Sequence, residues 1–94
     1  MPKIETGRRL EILLQLRRHR ESYGLEIVRR SGGMIPVGTA YVVLGRLEED
    51  GLVDSRPATG NENPRLKIYS LSDRGGRVLA GSLAAVEAFA EAVA

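Results

Sequence analysis

Hydrophobic positions recur at helical spacing between residues 37 and 51. Those that share one side predict a helix whose apolar stripe packs against a core: Ala40, Val43, Leu44 and Leu47. The other side carries small, hydroxyl, phenol and guanidinium groups, and the acidic residues come only at the end. Gly51 suits the left-handed position that often ends a helix. Because acidic groups are absent from its N-terminal end, this helix is suited to lie against a polyanion.

The segment before this helix predicts two more helices and a turn. Periodicity favours a first helix over residues 6–19, capped by Thr6, and a second over residues 23–30, capped by Ser22. The basic run that closes the first helix is interpreted as a solvated helix end rather than a nucleic-acid contact. Paired glycines then allow a turn, and residues 34–36 are a candidate for a third short strand. A short helix, a turn and a further helix are typical of a helix-turn-helix.

Alternating residues after Gly51 predict a β-hairpin. Residues 52–56 and 65–71 have strand character, and the segment between them is rich in turn formers. Long cations that can reach phosphates lie around the tip and at the start of the second strand: Arg56, Arg65 and Lys67. Without other evidence, the cations of such a hairpin are almost as well explained as an exposed face that keeps the protein soluble. Its interpretation as the wing of a DNA-binding fold therefore depends on the helices before it.

A long helix is predicted at the end of the chain, capped by Ser72 and Asp73 and running to about Ala94. Its apolar residues recur in alternating steps of four and three, which is a heptad seam. The predicted dimerisation residues are Leu79, Leu83, Val86, Phe89, Ala90 and Val93. This helix has more apolar surface than one small domain can cover, so we interpret it as a dimerisation helix. The alternative is a helix folded back onto its own domain.

Glycines within this last helix are expected to lower its intrinsic stability by up to about 1 kcal/mol each relative to alanine. They are Gly75, Gly76 and Gly81. Taken together, the elements predict a mostly α, α+β fold. Residues 1–72 are expected to form a winged helix-turn-helix DNA-binding domain, and residues 73–94 the C-terminal dimerisation helix.

Composition narrows the possible functions. The 94 residues suffice for one small domain, and 43% hydrophobic content is typical of a globular chain. There is no cysteine and only one histidine, His19, so neither a disulfide, a metal site nor a cofactor is expected. No apolar run reaches the roughly 18 residues that span a membrane, and the N-terminus lacks a signal-peptide core, so the expected location is the cytoplasm. The net charge of +2 permits a nucleic-acid partner without requiring one.

Three stretches of the chain resemble the PadR-type transcriptional regulators. Residues 37–53 resemble a family pattern that begins with Gly-Thr-Leu-Tyr. After two further residues, that pattern continues with Leu, a variable residue, a basic residue, Leu, acidic residues and Gly-Leu. Residues 64–75 resemble its wing strand and the start of its last helix, and residues 24–27 read Gly-Leu-Glu-Ile where the family has Gly-Tyr-Glu-Ile. The resemblance extends from about Leu10 to Leu79. The single helix after the wing resembles the short subfamily.

This resemblance implies a winged helix-turn-helix dimer that represses transcription by binding operator DNA. By carry-over, Thr39, Tyr41 and Arg46 lie near DNA, and Arg65 and Lys67 are the wing contacts. Some short members bind flat aromatic drugs with a tryptophan at the dimer interface. This chain has no tryptophan, so we do not carry that pocket over, and a small-molecule effector stays unknown.

Three classes of function are compared. The leading hypothesis is a homodimeric repressor in which the helix predicted over residues 37–51 is the recognition helix. Its two copies lie in successive major grooves of a palindromic operator, about 34 Å apart. Thr39 and Tyr41 then fix the register through phosphates, and Arg46 contacts a phosphate or pairs with Glu49 or Asp50 rather than reading a base. The alternative is a winged-helix protein-interaction module. An enzyme is not expected, because the chain has a single histidine, no cysteine and no phosphate loop.

Overall fold

The computed structural model describes residues 4–58, 60 and 66–93. These residues form four helices and three strands, which are α1 (Gly7–His19), β1 (Glu21–Tyr23), α2 (Gly24–Arg30), α3 (Val37–Glu49), β2 (Val53–Pro57), β3 (Lys67–Leu71) and α4 (Asp73–Val93). The strands make one antiparallel sheet in the order β1-β3-β2. The mostly helical α+β fold with a helix-turn-helix and a wing is therefore confirmed.

The core lies between the helices and one face of this sheet. The predicted stripe of α3 is confirmed, since Ala40, Leu44 and Leu47 are fully buried and Val43 packs against them. In α1 the buried face centres on Ile12, Leu13 and Leu16, while Leu10 and Leu14 are only partly buried. The helical spacing of Leu10, Leu13 and Leu14 in the sequence predicts a face that has Ile12 at its edge and leaves out Leu16.

The third strand is not where the sequence predicted it. Glu21–Tyr23 pairs with β3, with Ser22 opposite Tyr69. Ser22 therefore does not cap α2; it is buried, and its Oγ accepts a hydrogen bond from Nη1 of Arg30 at 2.6 Å. Ile35, expected in a strand, is instead fully buried in the core, and its N–H donates to Oγ of Ser31 at 3.1 Å. These side-chain contacts take the segment away from the sheet edge.

The α2 helix begins with a side-chain cap from within the helix. Tyr23 occupies the N-cap position, and its backbone N–H donates to Oε1 of Glu26 at 2.8 Å. In α1, by contrast, Thr6 is at the N-cap position but makes no side-chain cap hydrogen bond. The start of α1 is held instead by Glu5, whose backbone N–H donates to Oγ of Ser82 in α4 at 2.9 Å.

An arginine of α1 joins the N-terminus of that helix to the end of α3. Nε and Nη2 of Arg9 donate to the carboxylate of Glu5 at 2.6 and 3.0 Å, and Nη2 also reaches Oδ2 of Asp50 at 2.7 Å. The hydrogen bond to Glu5 is the main reason that the pKa of Arg9 is raised. This link helps to fix how α3 is oriented relative to α1.

The start of α4 crosses very close to the chain before the wing. Oγ of Ser72 caps the helix by accepting a hydrogen bond from the N–H of Gly75 at 2.9 Å, as predicted. A Cβ at Gly75 would lie 1.9 Å from the carbonyl oxygen of Leu52. Gly75 is therefore required by packing, a role that its low intrinsic helix propensity does not reveal.

The two halves of α4 have different environments. Leu79 and Ser82 are buried, and Leu83 packs partly against the core. Leu79 thus belongs to the chain's own core and offers no surface to a second subunit, which corrects its place in the predicted seam. The boundary predicted after residue 72 also crosses the core rather than a linker.

The second half of α4 extends away from the domain. Val86, Phe89 and Val93 are 47%, 71% and 67% exposed, and Ala90 is exposed as well. The described structure is accordingly elongated, with extents of 51 × 27 × 20 Å. That these four residues form a dimer seam stays a prediction.

Candidate nucleic-acid interface

The orientation of α3 is set by its buried stripe and by contacts at its end. Oγ of Ser55 in β2 donates to Oε2 of Glu48 at 2.5 Å, and Asp50 is bound by Arg9. Two of the three acidic residues at the end of α3 are thus engaged within the domain. The opposite side of the helix faces solvent with the residues that the sequence singled out.

Tyr41 is held in place without being buried. A Cβ at Gly24, the first residue of α2, would lie 2.8–2.9 Å from Cε1, Cζ and Oη of Tyr41. The phenol therefore packs against the backbone of α2 and still remains 38% exposed. Its position is close to the wing, since Tyr41 and Leu66 line the same depression of about 190 Å³.

A second tyrosine, Tyr69, is buried where the sheet and α3 come together. Tyr69 of β3 is only 6% exposed, and this burial is the main reason that the pKa of its phenol is raised. The charge of Glu48 and the phenol of Tyr41 act in the same direction. The sheet and α3 therefore meet through a neutral buried phenol at pH 7.

Arg46 is exposed near the C-terminal half of α3. The sequence predicts that it contacts a phosphate or pairs with Glu49 or Asp50. Among the described residues no ion pair engages its guanidinium. Thr39, on the same flank of the helix two turns earlier, is partly buried. The structure therefore leaves the Arg46 side chain facing solvent on the flank of α3.

The wing cations that the sequence grouped together are divided between two faces of the sheet. Ser55 points towards α3, so the next residue, Arg56, points to the opposite face. There Nη2 of Arg56 binds Oε2 of Glu21 at 2.8 Å, in a half-exposed ion pair worth less than about 1 kcal/mol. Arg65 lies outside the described residues.

Lys67 is on the α3 face of the sheet. It is two residues before the buried Tyr69, and it pairs with Pro57, which is two residues after Ser55. Residues two apart on a strand, and residues directly opposite on paired strands, share a face. Lys67 is exposed at the start of β3, so its ammonium group extends into solvent from the face of the sheet against which α3 packs.

Three residues at the centre of the solvent side of α3 were not among the predicted contacts. Val42 is 54% exposed, and Gly38 and Gly45 flank it four residues before and three residues after. A Cβ at either glycine would meet nothing within 4 Å. The signal in the sequence was their position opposite the apolar stripe, where a helical repeat of about 100° per residue places them.

The described part of the chain shows neither a metal site nor a membrane-spanning segment. No three histidine, aspartate or glutamate side chains within it are placed to hold a metal ion. None of its helices combines the length and hydrophobicity needed to cross a membrane. The basic end of α1, residues 17–20, is exposed, as expected for a solvated helix end.

Comparison with solved structures shows the same fold in three bacterial proteins. A PadR-like transcription factor from Bacteroides fragilis matches with 25% identity and a TM-score of 0.79, over 90% of this chain and 84% of that one. The YusO protein from Bacillus subtilis matches with 24% identity and a TM-score of 0.80, over 90% of this chain and 57% of that one. MarR from E. coli, determined with operator DNA, matches with 18% identity and a TM-score of 0.72, over 83% and 53%.

The chain thus spans little more than half the length of YusO and MarR. A search of curated protein sequences found no significant relative of this chain. The family comparison is more specific, because the model of the PadR-like transcriptional regulators matches residues 12–81, which contain every element from most of α1 to the first part of α4. Members of this family regulate transcription rather than catalyse reactions, as the sequence predicted. This chain belongs to the PadR-like family of transcriptional regulators.

Proposed function

We propose that the protein is a homodimer that binds a palindromic operator in double-stranded DNA, needs no cofactor, and represses transcription in the cytoplasm. The observation that carries this proposal is that exposed residues of α3 and an exposed wing cation lie on the same side of the sheet. Tyr41 and Arg46 of α3 and Lys67 of β3 are all exposed on the α3 side of the sheet. The fold is also that of MarR, whose structure was determined with operator DNA, which supports DNA as the ligand.

Electrostatics supports DNA over a protein partner for this surface. The alternative, a protein-interaction module, relied on the low net charge of +2 and on the acidic end of α3. In the structure Ser55 binds Glu48 and Arg9 binds Asp50, so these carboxylates serve the fold. The N-terminal part of α3 has no acidic residue in its first turn, so it can approach a phosphate without repulsion.

The dimer is proposed from the exposed half of α4. Val86, Phe89, Ala90 and Val93 form an apolar stripe that the domain leaves uncovered. Pairing two such stripes removes them from water and joins two domains about a two-fold axis. Two recognition helices can then enter successive major grooves, and a dimer bound there excludes other proteins from the same DNA, which is the simplest route to repression.

Selection of bound duplexes from a random pool tests the proposal. We expect the enriched sequences to contain an inverted repeat whose half-sites are about 10–10.5 base pairs apart, centre to centre. An enriched single half-site would contradict the dimer. Absence of binding to any duplex at low salt would contradict DNA binding itself and favour the protein-interaction module.

The two faces of the wing predict different effects for two cations. Lys67→Ala is expected to weaken binding to all duplexes about equally and to reduce the slope of log K against log salt by about 0.9 for each phosphate that the variant no longer neutralises. Arg56→Ala is the matched control, because its side chain points to the other face and binds Glu21. We expect its salt slope to stay within error of the wild type in titrations by fluorescence anisotropy. An equal reduction of the slope in both variants would contradict this geometry.

The glycine at position 45 predicts opposite effects on stability and binding. Because a methyl group at Gly45 meets nothing in the chain, Gly45→Ala is expected to stabilise the fold by up to about 1 kcal/mol. The same methyl group would hold α3 away from the DNA and lower operator affinity roughly tenfold, by about the 1.4 kcal/mol that a tenfold change represents. Urea unfolding and operator titration measure the two effects.

Gly81→Ala is the matched control for this prediction. Gly81 is exposed in α4, and a Cβ there also meets nothing within 4 Å. It should give a similar gain in stability with unchanged operator affinity. If Gly45→Ala stabilised the protein and bound the operator as tightly as the wild type, the solvent side of α3 would not be the DNA-facing surface.

A further inference from the structure

We propose that Val42 determines sequence specificity by contacting the 5-methyl group of a thymine in the major groove. This inference rests on the proposed function, because it requires α3 to enter the groove. It adds a base-reading residue to a surface whose other predicted contacts, Thr39, Tyr41 and Arg46, were assigned mainly to phosphates.

The position of Val42 points its side chain directly away from the core. It precedes the fully buried Leu44 by two residues, which corresponds to about 160° around the helix. Val42 is 54% exposed, whereas its neighbour Val43 packs against the core. The domain therefore gains little from an aliphatic side chain at position 42, and a polar residue there would be equally compatible with the fold.

The surroundings of Val42 are low enough for a short side chain to reach a base edge. Gly38 and Gly45 are its neighbours on the same side of α3, and neither is required by the fold, since a Cβ at each meets only open space. Their missing side chains let the helix backbone approach the floor of a groove. The side chain of Val42 therefore projects beyond Gly38 and Gly45 on this side of the helix.

The chemistry of valine restricts what it can recognise. An isopropyl group neither donates nor accepts hydrogen bonds, so it can bind neither a phosphate nor the polar edge of a base. The apolar group that the major groove presents is the thymine methyl. Valine also has a strongly restricted χ1 angle, so little side-chain freedom is lost when it packs against that methyl.

Removal of single thymine methyl groups tests this contact. The duplex enriched by the wild-type protein is synthesised with deoxyuridine in place of each thymine in turn, at symmetric positions of both half-sites. We expect wild-type affinity to fall about three- to tenfold per half-site at one thymine position and to change little elsewhere. In Val42→Ala, affinity for the unmodified duplex should fall by a similar factor, and the difference between thymine and uracil at that position should disappear.

Val37→Ala is the matched control. Val37 is 47% exposed on the same helix but lies about 140° around it from Val42. This variant should keep the wild-type uracil pattern. Because both valines are exposed, thermal unfolding of the two variants should match the wild type, so weaker binding can be assigned to the interaction with the base.

The possible outcomes distinguish a failure of the Val42 contact from a failure of the proposed DNA-binding function. If the wild type binds no duplex, the proposed function fails. If the wild type binds its selected duplex but no uracil substitution weakens binding, or if Val42→Ala keeps the full uracil effect, DNA binding stands and the role of Val42 is overturned. A selected site that contains no thymine would also overturn it.

Discussion

Replacing Gly75 with alanine is expected to destabilise the domain by about 3 kcal/mol, which is the upper end of the range typical of overpacked sites. The new Cβ would lie 1.9 Å from the carbonyl oxygen of Leu52, so either α4 or the chain before β2 must move. That same carbonyl accepts a hydrogen bond from the N–H of Ser72 at 3.1 Å. A shift that relieves the clash therefore also disturbs the junction between the wing and α4. Urea unfolding followed by circular dichroism measures the decrease in stability.

The neighbouring glycine provides the control for this experiment. A Cβ at Gly76 meets nothing within 4 Å, so Gly76→Ala should be neutral or should stabilise the helix by up to about 1 kcal/mol. From helix propensity alone, both substitutions should stabilise the protein. Equal stability of the two variants would show that α4 does not pass against Leu52 as closely as the structure places it.

Phe89→Glu is expected to convert the proposed dimer into monomers and to lower operator affinity by about a hundredfold or more. Phe89 is 71% exposed near the end of α4, so its replacement leaves the domain core unchanged. A carboxylate in the seam would have to be buried without a partner when two helices pair. Without the dimer, each domain binds its half-site alone and the gain from linked binding is lost. Analytical ultracentrifugation and operator titration measure both effects.

Ala88→Glu is the matched control for the dimer prediction. Ala88 is exposed on the same helix and lies about 160° around it from Val86, on the side away from the seam. This variant should remain dimeric and bind the operator like the wild type. A Phe89→Glu variant that stayed dimeric would place the interface elsewhere, and a monomeric wild type at micromolar concentration would contradict the homodimer.

Local pattern was sufficient for the recognition helix. The stripe of Ala40, Leu44 and Leu47 is spaced by the helical repeat, so its burial also determines which residues face solvent. The cap of α4 by Ser72 was equally predictable, because a cap depends on residues only three positions apart. Such features follow from short-range geometry that any helix imposes.

Strand pairing and helix packing could not be predicted from the local sequence pattern. The third strand is Glu21–Tyr23 rather than residues 34–36, because β3 offers a free edge there and Ile35 has a place in the core. Leu79 continues the heptad pattern perfectly well, yet it is buried inside its own domain. Periodicity identifies an apolar face but does not say whether that face meets the same chain or a second copy.

The sequence by itself determined the four helices and the hairpin after α3, the buried stripe of α3 and the membership of a family of regulators, because these depend on neighbours within a few residues or on an extended pattern. Only the tertiary structure decided that Lys67 lies on the α3 face of the sheet while Arg56 lies on the other, that Gly75 makes room for Leu52, and that Val42 is framed by open space. The physical reason is that these features arise where segments far apart in the chain are brought together. Sheet register, crossing distance and free volume are properties of that assembly and of no single segment.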